Sequence, residues 1–404
     1  MTIKALGGIR VLDLSRVLAG PFCTQILGDL GAEVIKIERP GAGDDTRKWG
    51  PPFLQDGKGE DTTESAYYLS CNRNKKSVAI DLKSEKGQAI IRDLAAKSDI
   101  LIHNFKVGNL ESYGLGYDDL KDEFPHLIYC AISGFGQTGP LAREPGYDFL
   151  AQGMAGLMAS TGAPDGMPMK AGVALSDIMT GLNAAIGILT ALHARATTGK
   201  GQMVDVALTD CTLAAMTNIA QYYLTSGNLA PRLGNAHSTI VPYQAFEASD
   251  GHVIIAVGNN DQFARFCNAL GRADWADDAR FATNSARVTH RNDLVPMIAD
   301  ILAGDCVAHW VKTLEKAGVP CGPVNTMDQV FAMDQIKARD MRIAMDHTHG
   351  PISLVGSPLK LSGTPISYDR PPPVCGQDTE AVLKEALDLS PETIAQLKSS
   401  GTIA

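Results

Sequence analysis

Strand patterns and helix patterns alternate along the first half of this chain, and this order constrains its fold more than any other feature. Residues 85–97 have the spacing of an amphipathic helix, while Pro21 suits the first turn of a helix and Gly31 suits its end. Such alternation predicts an α/β fold with a mostly parallel sheet, whose ligand crevice lies beyond the carboxyl ends of the strands. The predicted strands in this half are residues 10–14, 33–38, 77–82, 100–104 and 127–133.

The turn after the first predicted strand does not fit a nicotinamide-binding protein. A dinucleotide-binding turn needs the glycine spacing GxGxxG, because the backbone must approach the pyrophosphate closely. Residues 15–21 are Ser-Arg-Val-Leu-Ala-Gly-Pro, with a single glycine. The sequence therefore argues against an NAD-dependent dehydrogenase despite its α/β pattern.

Composition excludes several classes of protein. The chain has 404 residues, of which 45% are apolar and 20% charged, and it is long enough for two domains. Its net charge of -9 argues against a nucleic-acid partner, because phosphates attract a basic surface. The eight cysteines show no CxxC spacing, so neither a metal site nor a disulfide framework is predicted. The apolar residues 178–192 are short for a bilayer, and we expect a cytoplasmic protein without a membrane partner.

Asp177 stands where an apolar helix of small residues is predicted, at residues 178–195. The positive end of the helix dipole should favour the ionised form of its carboxylate. Two interpretations follow from this position. Asp177 is either a nucleophile that forms a covalent intermediate, or an N-cap that only completes the hydrogen bonds of the first helical turn.

Seven segments of the chain carry a family resemblance: residues 8–22, 27–40, 72–77, 133–140, 146–148, 199–202 and 318–324. Together, and in this order, they resemble the class III coenzyme A transferases, the family of formyl-CoA transferase, carnitine CoA-transferase and the 2-methylacyl-CoA racemases. The resemblance runs nearly end to end. The segments that look especially like the succinyl-CoA–glutarate CoA-transferase branch are residues 43–53, 72–77, 240–246 and 370–373.

The resemblance implies an architecture that the composition alone does not. A Rossmann-like large domain is expected from both chain ends, together with a small α+β domain. Two such chains are expected to thread through each other as an interlocked homodimer. The implied division is residues 1–209 and 351–404 for the large domain, 210–228 for a linker helix, 229–330 for the small domain and 331–350 for a second linker.

The resemblance also implies which residues form the site. In the family, an aspartate before a helix of small residues forms an acyl anhydride, and Asp177 falls on that position. Tyr147 stands where the racemases carry a histidine base, and a tyrosine of pKa about 10 is a poor base at neutral pH. Gly234 and Asn235 correspond to a glycine-rich covering loop, although a plain turn fits them equally well. The residues matching CoA-binding positions are Val17, Leu18, Arg39, Asn72, Arg73, Asn74, Lys75, Asn104 and Phe105.

The implied substrates are CoA thioesters and carboxylic acids, with no tightly bound cofactor and no metal. A dicarboxylyl donor such as succinyl-CoA needs a cation for its distal carboxylate. Two alternatives remain open: a 2-methylacyl-CoA racemase, which would exchange the proton at C2, and a CoA-binding module without activity, which would have no use for Asp177 beside a pocket. The candidates for the cation are Arg16, Arg47, Arg232 and His237.

Overall fold

The structure, a computed structural model, describes residues 3–404 and divides the chain into two compact units. Each unit draws on separate stretches of the chain. Unit 1 consists of the residues up to Leu157, Lys170–Gln221 and Gln335–Ala404, and unit 2 consists of Met158–Met169 and Tyr222–Asp334.

The N-terminal part of unit 1 alternates strands and helices, as the sequence predicts. Its strands are β1 (Arg10–Asp13), β2 (Glu33–Glu38), β3 (Phe53–Gln55), β4 (Asp61–Ser65), β5 (Lys75–Ala79), β6 (Ile100–His103), β7 (Ile128–Ser133) and β8 (Met203–Ala207). Its helices are α1 (Ala19–Asp29), α2 (Ala66–Leu69), α3 (Glu85–Ala96), α4 (Tyr117–Leu120), α5 (Asp148–Met154), α6 (Leu157–Ser160), α7 (Leu175–Thr198) and α8 (Leu208–Ala215). Helix α6 continues into unit 2.

Six of these strands form one parallel sheet, in the order β5-β2-β1-β6-β7-β8. Every neighbouring pair in it is parallel, which confirms the predicted α/β class. Strands β3 and β4 form a separate antiparallel pair that the sequence pattern did not predict. Because the six strands run the same way, the segments that follow β1, β6 and β7 all leave the sheet at one edge.

Unit 2 combines a three-stranded antiparallel sheet with short helices, around a core that includes Phe263, Phe266 and Trp310. The predicted linker helix at residues 210–228 is two helices, α8 and α9, because Thr217 adopts a φ of 31°. The elements from α9 onwards are α9 (Thr217–Ser226), β9 (Tyr243–Ala248), β10 (Gly251–Ala256), α10 (Asn260–Ala269), α11 (Asp274–Asp277), α12 (Asn284–Thr289), α13 (Arg291–Leu302), α14 (Val307–Lys316), β11 (Cys321–Pro323), α15 (Met327–Ala332) and α16 (Asp334–Ala338).

The C-terminal part of unit 1 contains a hairpin and two helices. The predicted linker at residues 331–350 contains α16 and one whole strand of this hairpin. Residues 158–169, predicted as part of the large domain, are grouped with unit 2. The C-terminal elements are β12 (Arg342–His347), β13 (Gly350–Val355), α17 (Thr379–Leu387) and α18 (Pro391–Ser399).

Both faces of the parallel sheet are covered. Val11 lies in one buried core with side chains of α1 and α7, whereas its neighbour Leu12 lies in the other with side chains of α3, α17 and α18. Successive side chains of a strand point to opposite faces, so a sheet covered on both sides needs apolar residues at consecutive positions. This arrangement leaves the edge at the carboxyl ends of the strands for a site.

Helix α7 is long and apolar enough, by length and composition alone, to cross a membrane. Core helices of globular domains meet the same criterion, and Ala184, Ala185 and Ile188 of α7 are buried in a core of unit 1. Gly181 permits a close approach to α1, because a Cβ atom there would lie 2.6 Å from the Ala19 carbonyl oxygen. Packing against the sheet and α1 therefore fixes the position of α7.

Candidate active site

Asp177 lies in the first turn of α7, three residues after Ala174. The helix begins earlier than predicted, at Leu175, so Asp177 is not the N-cap residue. Asp148 of α5 supplies the acceptor at this helix end. Its Oδ1 atom accepts hydrogen bonds from the backbone N–H groups of Ser176, at 2.8 Å, and of Asp177, at 3.4 Å. The interpretation of Asp177 as an N-cap is therefore wrong.

The pKa of Asp177 differs from that of an ordinary aspartate. Burial raises this pKa from 3.8 to about 7, and the negative charge of Asp148 contributes to the rise. These effects outweigh the helix dipole, which was expected to favour the ionised form. Burial and then the charge of Asp177 also raise the pKa of Tyr67 in α2, to about 12. Asp177 is therefore a carboxyl group that changes its charge near neutral pH.

Asp177 lines a cavity of about 230 Å³ at the edge of the sheet where β1, β6 and β7 end. All of the residues that line this cavity belong to unit 1. Tyr147 is 69% exposed, so most of its side chain remains accessible to solvent. The predicted site residues that the structure brings together here are Arg16, Val17, Leu18, Asn104, Phe105, Tyr147 and Asp177.

Val17 has a strained backbone. Its φ of 72° lies in the left-handed region, which a β-branched residue rarely adopts. Its N–H donates to the two carboxylate oxygens of Asp44, at 3.2 and 3.3 Å. Asp44 is paired with Lys36 at 2.9 Å, and Lys36 also donates to the Ser15 carbonyl oxygen at 2.9 Å. Buried charges thus hold the turn that forms one wall of the cavity.

The N-terminus of α1 follows this strained turn and reaches the same cavity through Leu18 and Ala19. Leu18 is the N-cap and makes no side-chain capping bond, and the first turn contains no acidic residue. The first N–H groups of a helix carry partial positive charge and favour anions. This end of α1 is therefore suited to a negatively charged oxygen in the cavity.

Arg16 and Asn104 bind each other across the edge of the sheet. The Arg16 N–H donates to Asn104 Oδ1 at 3.0 Å, and Asn104 Nδ2 donates to the Arg16 carbonyl oxygen at 2.6 Å. The side chains of Arg16 and Arg39 both pair with Asp45, at 2.5 Å each. Arg16, Arg39 and Phe105 also line a second cavity of about 250 Å³ in unit 1. The two arginines are exposed cations beside an apolar surface, and a guanidinium can bind a phosphate through two hydrogen bonds.

The predicted CoA-binding loop at residues 72–75 is buried. Each of its four side chains is at most 7% exposed. Arg73 donates two hydrogen bonds to Asp29, at 2.9 and 2.6 Å, and Lys75 donates to the Pro21 carbonyl oxygen at 2.9 Å. Buried groups with these partners cannot reach a phosphate in solvent. The assignment to CoA is therefore wrong for Asn72, Arg73, Asn74 and Lys75.

Arg47 is also a buried structural residue. Its Nε and Nη2 atoms donate to Glu38, at 2.8 and 2.7 Å, and its Nη1 atom donates to Glu64 at 2.6 Å. Nη2 donates further to the Tyr68 hydroxyl at 2.6 Å and to the Pro373 carbonyl oxygen at 3.0 Å. Because these partners satisfy the guanidinium, the prediction that Arg47 binds a substrate carboxylate is wrong.

Arg232 lies in unit 2 and holds a neighbouring loop. Its side chain donates to the carbonyl oxygens of Ala163, at 3.3 Å, and Gly166, at 2.8 Å. Gly234 and Asn235 form an exposed turn, and the Gly234 N–H donates to the Gly162 carbonyl oxygen at 3.0 Å. The covering role of this turn stays a prediction.

His237 also lies in unit 2, on the segment that follows this turn. Its Nδ1 atom accepts a hydrogen bond from the Thr239 N–H at 3.1 Å, and its ring lies 5.3 Å from that of Tyr243. These contacts explain its position without a ligand. A role of His237 toward a substrate carboxylate stays a prediction.

Sequence interpretation missed the hydrogen bonds of Asp148 and Lys36 at the site, and the electrostatic interaction between Tyr67 and Asp177. Lys36 was the hardest to find, because β2 alternates apolar and charged residues, which predicts that its charges face solvent. Asp148 caps a helix that begins 27 residues later in the chain. No local pattern reports a contact across that separation.

Comparisons with known proteins agree on one family. The family model described as CoA-transferase family III matches residues 6–379. The chain is 45% identical to the succinyl-CoA:glutarate CoA-transferase of Homo sapiens, across 99% of the chain and 90% of the relative. It is 46% identical to the succinate–glutarate CoA-transferase of Agrobacterium fabrum, across 94% of the chain and 95% of the relative. The crystal structure of a CAIB/BAIF family protein from Brucella suis matches with a TM-score of 0.86 and 46% identity, across 95% of the chain and 99% of that protein.

Proposed function

We propose that this chain, which belongs to CoA-transferase family III and is a CoA-transferase, uses succinyl-CoA or another dicarboxylyl-CoA as its donor. The acceptor is a carboxylic acid. Two relatives at 45 and 46% identity carry names that join succinate or succinyl-CoA to glutarate. The observation that carries the proposed transfer reaction is the position of Asp177, a half-buried carboxylate on the wall of the cavity at the first turn of α7.

Asp177 acts as the nucleophile. One carboxylate oxygen forms a bond to the thioester carbonyl carbon, the C–S bond breaks, and CoA thiolate leaves with the electron pair. The product is a mixed anhydride between the acyl group and Asp177. Covalent catalysis of this kind divides one difficult exchange into easier steps.

The acceptor then replaces the donor. Its carboxylate attacks the Asp177 carbonyl carbon of the anhydride, which releases the donor acid and leaves an anhydride between Asp177 and the acceptor. CoA thiolate attacks the acceptor acyl carbon, forms the new thioester and frees the Asp177 carboxylate. The N-terminal N–H groups of α1 stabilise the oxyanions that form in these steps.

Arg16 recognises the distal carboxylate of the donor. Of the candidate cations, it is the one that lines the cavity of Asp177, whereas Arg47 is buried among its own partners. Its guanidinium pairs with Asp45 but is half exposed, so a ligand can compete for it. A dicarboxylyl donor gains a charge-assisted hydrogen bond that a monocarboxylyl donor lacks.

A panel of donors and acceptors tests the proposal. Purified protein is offered succinyl-CoA, glutaryl-CoA, acetyl-CoA and butyryl-CoA, each with succinate, glutarate or acetate. We expect the two dicarboxylyl donors to be used most efficiently, and the acyl-CoA of the acceptor to form only when the acceptor acid is present. A preference for acetyl-CoA would contradict the substrate assignment. Deuterium uptake at C2 of a 2-methylacyl-CoA would instead indicate a racemase.

Trapping tests the intermediate. Hydroxylamine added during turnover should convert acylated Asp177 into a hydroxamate that mass spectrometry locates on the α7 peptide. Asp177→Ala should bind CoA but show neither the modification nor transfer. Turnover by Asp177→Ala near the wild-type rate would show that Asp177 is not the nucleophile.

The active form is an interlocked homodimer that contributes Gly234 and Asn235 of one protomer to the cavity of its partner. Unit 1 exposes apolar side chains on α7, where Leu182 and Ile186 are 44% and 62% exposed. Large exposed apolar surfaces indicate association. Light scattering should give twice the chain mass for the wild type. Ile186→Glu should disturb assembly, because it places a charge on this apolar face.

A further inference from the structure

Both carboxylate oxygens of Asp148 are held in place. Oδ1 accepts the N–H groups at the start of α7, and Oδ2 accepts a 2.8 Å hydrogen bond from Nε2 of Gln152, a fully buried residue of α5. The Oε1 atom of Gln152 accepts the Ala171 N–H at 2.9 Å. Helix α5 thus holds the chain that leads into Asp177 at two points. The backbone N–H of Asp177 is itself one of the bound groups.

The same geometry fixes a second negative charge beside Asp177. Several titratable groups surround this carboxylate pair, but among the described residues Asp148 is the charged group that acts on the pKa of Asp177, after burial. The titratable groups on the elements packed against α7 and on the cavity wall are Cys23 and Asp29 of α1, Tyr129 and Cys130 of β7, Asp205 of β8, Asp210 and Cys211 of α8, and Arg16, Lys106, Glu144 and Tyr147. Tyr67 of α2 also interacts electrostatically with Asp177.

We propose that Asp148 is a positioning residue that favours acylation of Asp177, by holding the first turn of α7 and by repelling the free Asp177 carboxylate. This inference rests on the proposed role of Asp177 as the nucleophile. In the step concerned, an Asp177 oxygen bonds to the acyl carbon and CoA thiolate departs with the electrons of the C–S bond.

The repulsion acts on one side of this step only. The free Asp177 carboxylate is negative and lies near Asp148 in a half-buried site, where charges interact strongly. The anhydride form of Asp177 is neutral, and the charge has moved to the departing thiolate. Asp148 therefore raises the free energy of the unmodified carboxylate relative to the acyl-enzyme. The same repulsion makes Asp177 a stronger base, and hence a better nucleophile once it is ionised.

Variants can separate the charge from the hydrogen bonds. Asp148→Asn keeps an acceptor for the helix N–H groups but removes the charge, and Asp148→Ser is a second neutral side chain that can cap a helix. Gln152→Leu keeps the charge of Asp148 but removes the group that orients it. Glu144→Gln removes a different carboxylate from the wall of the same cavity.

The measurement is the pH dependence of kcat/KM for succinyl-CoA, together with the fraction of acylated Asp177 at pH 8 by mass spectrometry. Asp148→Asn and Asp148→Ser should shift the midpoint of the pH profile down by about one unit or more and reduce the acylated fraction roughly tenfold. Gln152→Leu should lower kcat/KM at every pH with an unchanged midpoint. Glu144→Gln should shift the midpoint less than either Asp148 variant.

The outcomes distinguish this inference from the proposed function. If wild-type Asp177 is never acylated, the proposed function fails. If it is acylated, and both folded Asp148 variants retain the wild-type midpoint and acylated fraction, Asp148 is only a helix cap. A shift in Glu144→Gln as large as that in Asp148→Asn would likewise overturn the inference.

Discussion

Lys36 and Asp44 form an ion pair of 2.9 Å in which both side chains are almost completely buried. The pair binds both sides of a strained turn, since Lys36 donates to the Ser15 carbonyl oxygen and Asp44 accepts the Val17 N–H. This turn forms part of the cavity that contains Asp177. This buried ion pair thus supports the wall of the site.

Lys36→Met should destabilise the protein by about 3–5 kcal/mol, because it leaves the charge of Asp44 buried without its partner. Urea unfolding measures the loss. Lys76→Met is the control, since Lys76 lies on the neighbouring strand and pairs with Glu33 and Glu385 nearer the surface. Its loss should stay within about 1 kcal/mol. Equal losses for the two variants would show that the buried pair contributes no more to the free energy of unfolding than the pairs nearer the surface.

Arg47→Met should act on stability and not on donor choice. The substitution leaves Glu38 and Glu64 without their shared cation, so we expect a loss of about 3 kcal/mol or more in the free energy of unfolding. The folded fraction should use succinyl-CoA and butyryl-CoA with the wild-type ratio of kcat/KM values. A loss of kcat/KM confined to succinyl-CoA would show that Arg47 does bind the substrate carboxylate.

Arg16→Met should discriminate between donors. Loss of a charge-assisted hydrogen bond costs about 1.5–3 kcal/mol, so kcat/KM for succinyl-CoA should fall roughly ten- to a hundredfold more than that for butyryl-CoA. Arg39→Met is the matched control, because Arg39 shares the partner Asp45 and lines the second cavity. Arg39→Met should weaken the binding of all CoA donors alike. Equal losses for both donors in Arg16→Met would contradict its role.

The parallel sheet and most of its helices could be predicted from the sequence, because local periodicity reports them directly. Strand β2 was placed at its observed bounds and α3 within one residue. The hairpins β3–β4 and β12–β13 were missed. Strand β3 has only three residues, too few for a period to be detected, and β12 alternates exposed and buried residues but lies in the segment that was expected to be a linker. The cytoplasmic location stays a prediction.

The site was predictable only in part. Asp177, Arg16 and Tyr147 share a cavity as expected, because the ends of parallel strands and the start of α7 meet there. The burial of Arg73 and Arg47 could not be predicted, since each is held by partners far away in the chain, including Val355 and Pro373. A basic residue in sequence carries no sign of whether its charge is neutralised inside the fold.

Asp177→Asn should make the protein more stable than the wild type above pH 7. The pKa of Asp177 in the folded state, about 7, lies above its ordinary value of 3.8, so the folded protein binds this proton more tightly than the unfolded chain. The resulting stability is present below about pH 4 and is lost as the pH rises towards 7. Asparagine is neutral throughout and escapes this loss. Calorimetry should therefore show a higher Tm for Asp177→Asn at pH 8, and a difference that narrows as the pH falls towards 4.

Asp44→Asn, the control, should have a lower Tm than the wild type at pH 8. Lys36 lowers the pKa of Asp44 to about 2 against the opposing effect of burial, so the ionised form of Asp44 stabilises the fold at this pH. A Tm of Asp177→Asn at or below that of the wild type at pH 8 would show that the Asp177 carboxylate is not under electrostatic strain in the folded enzyme.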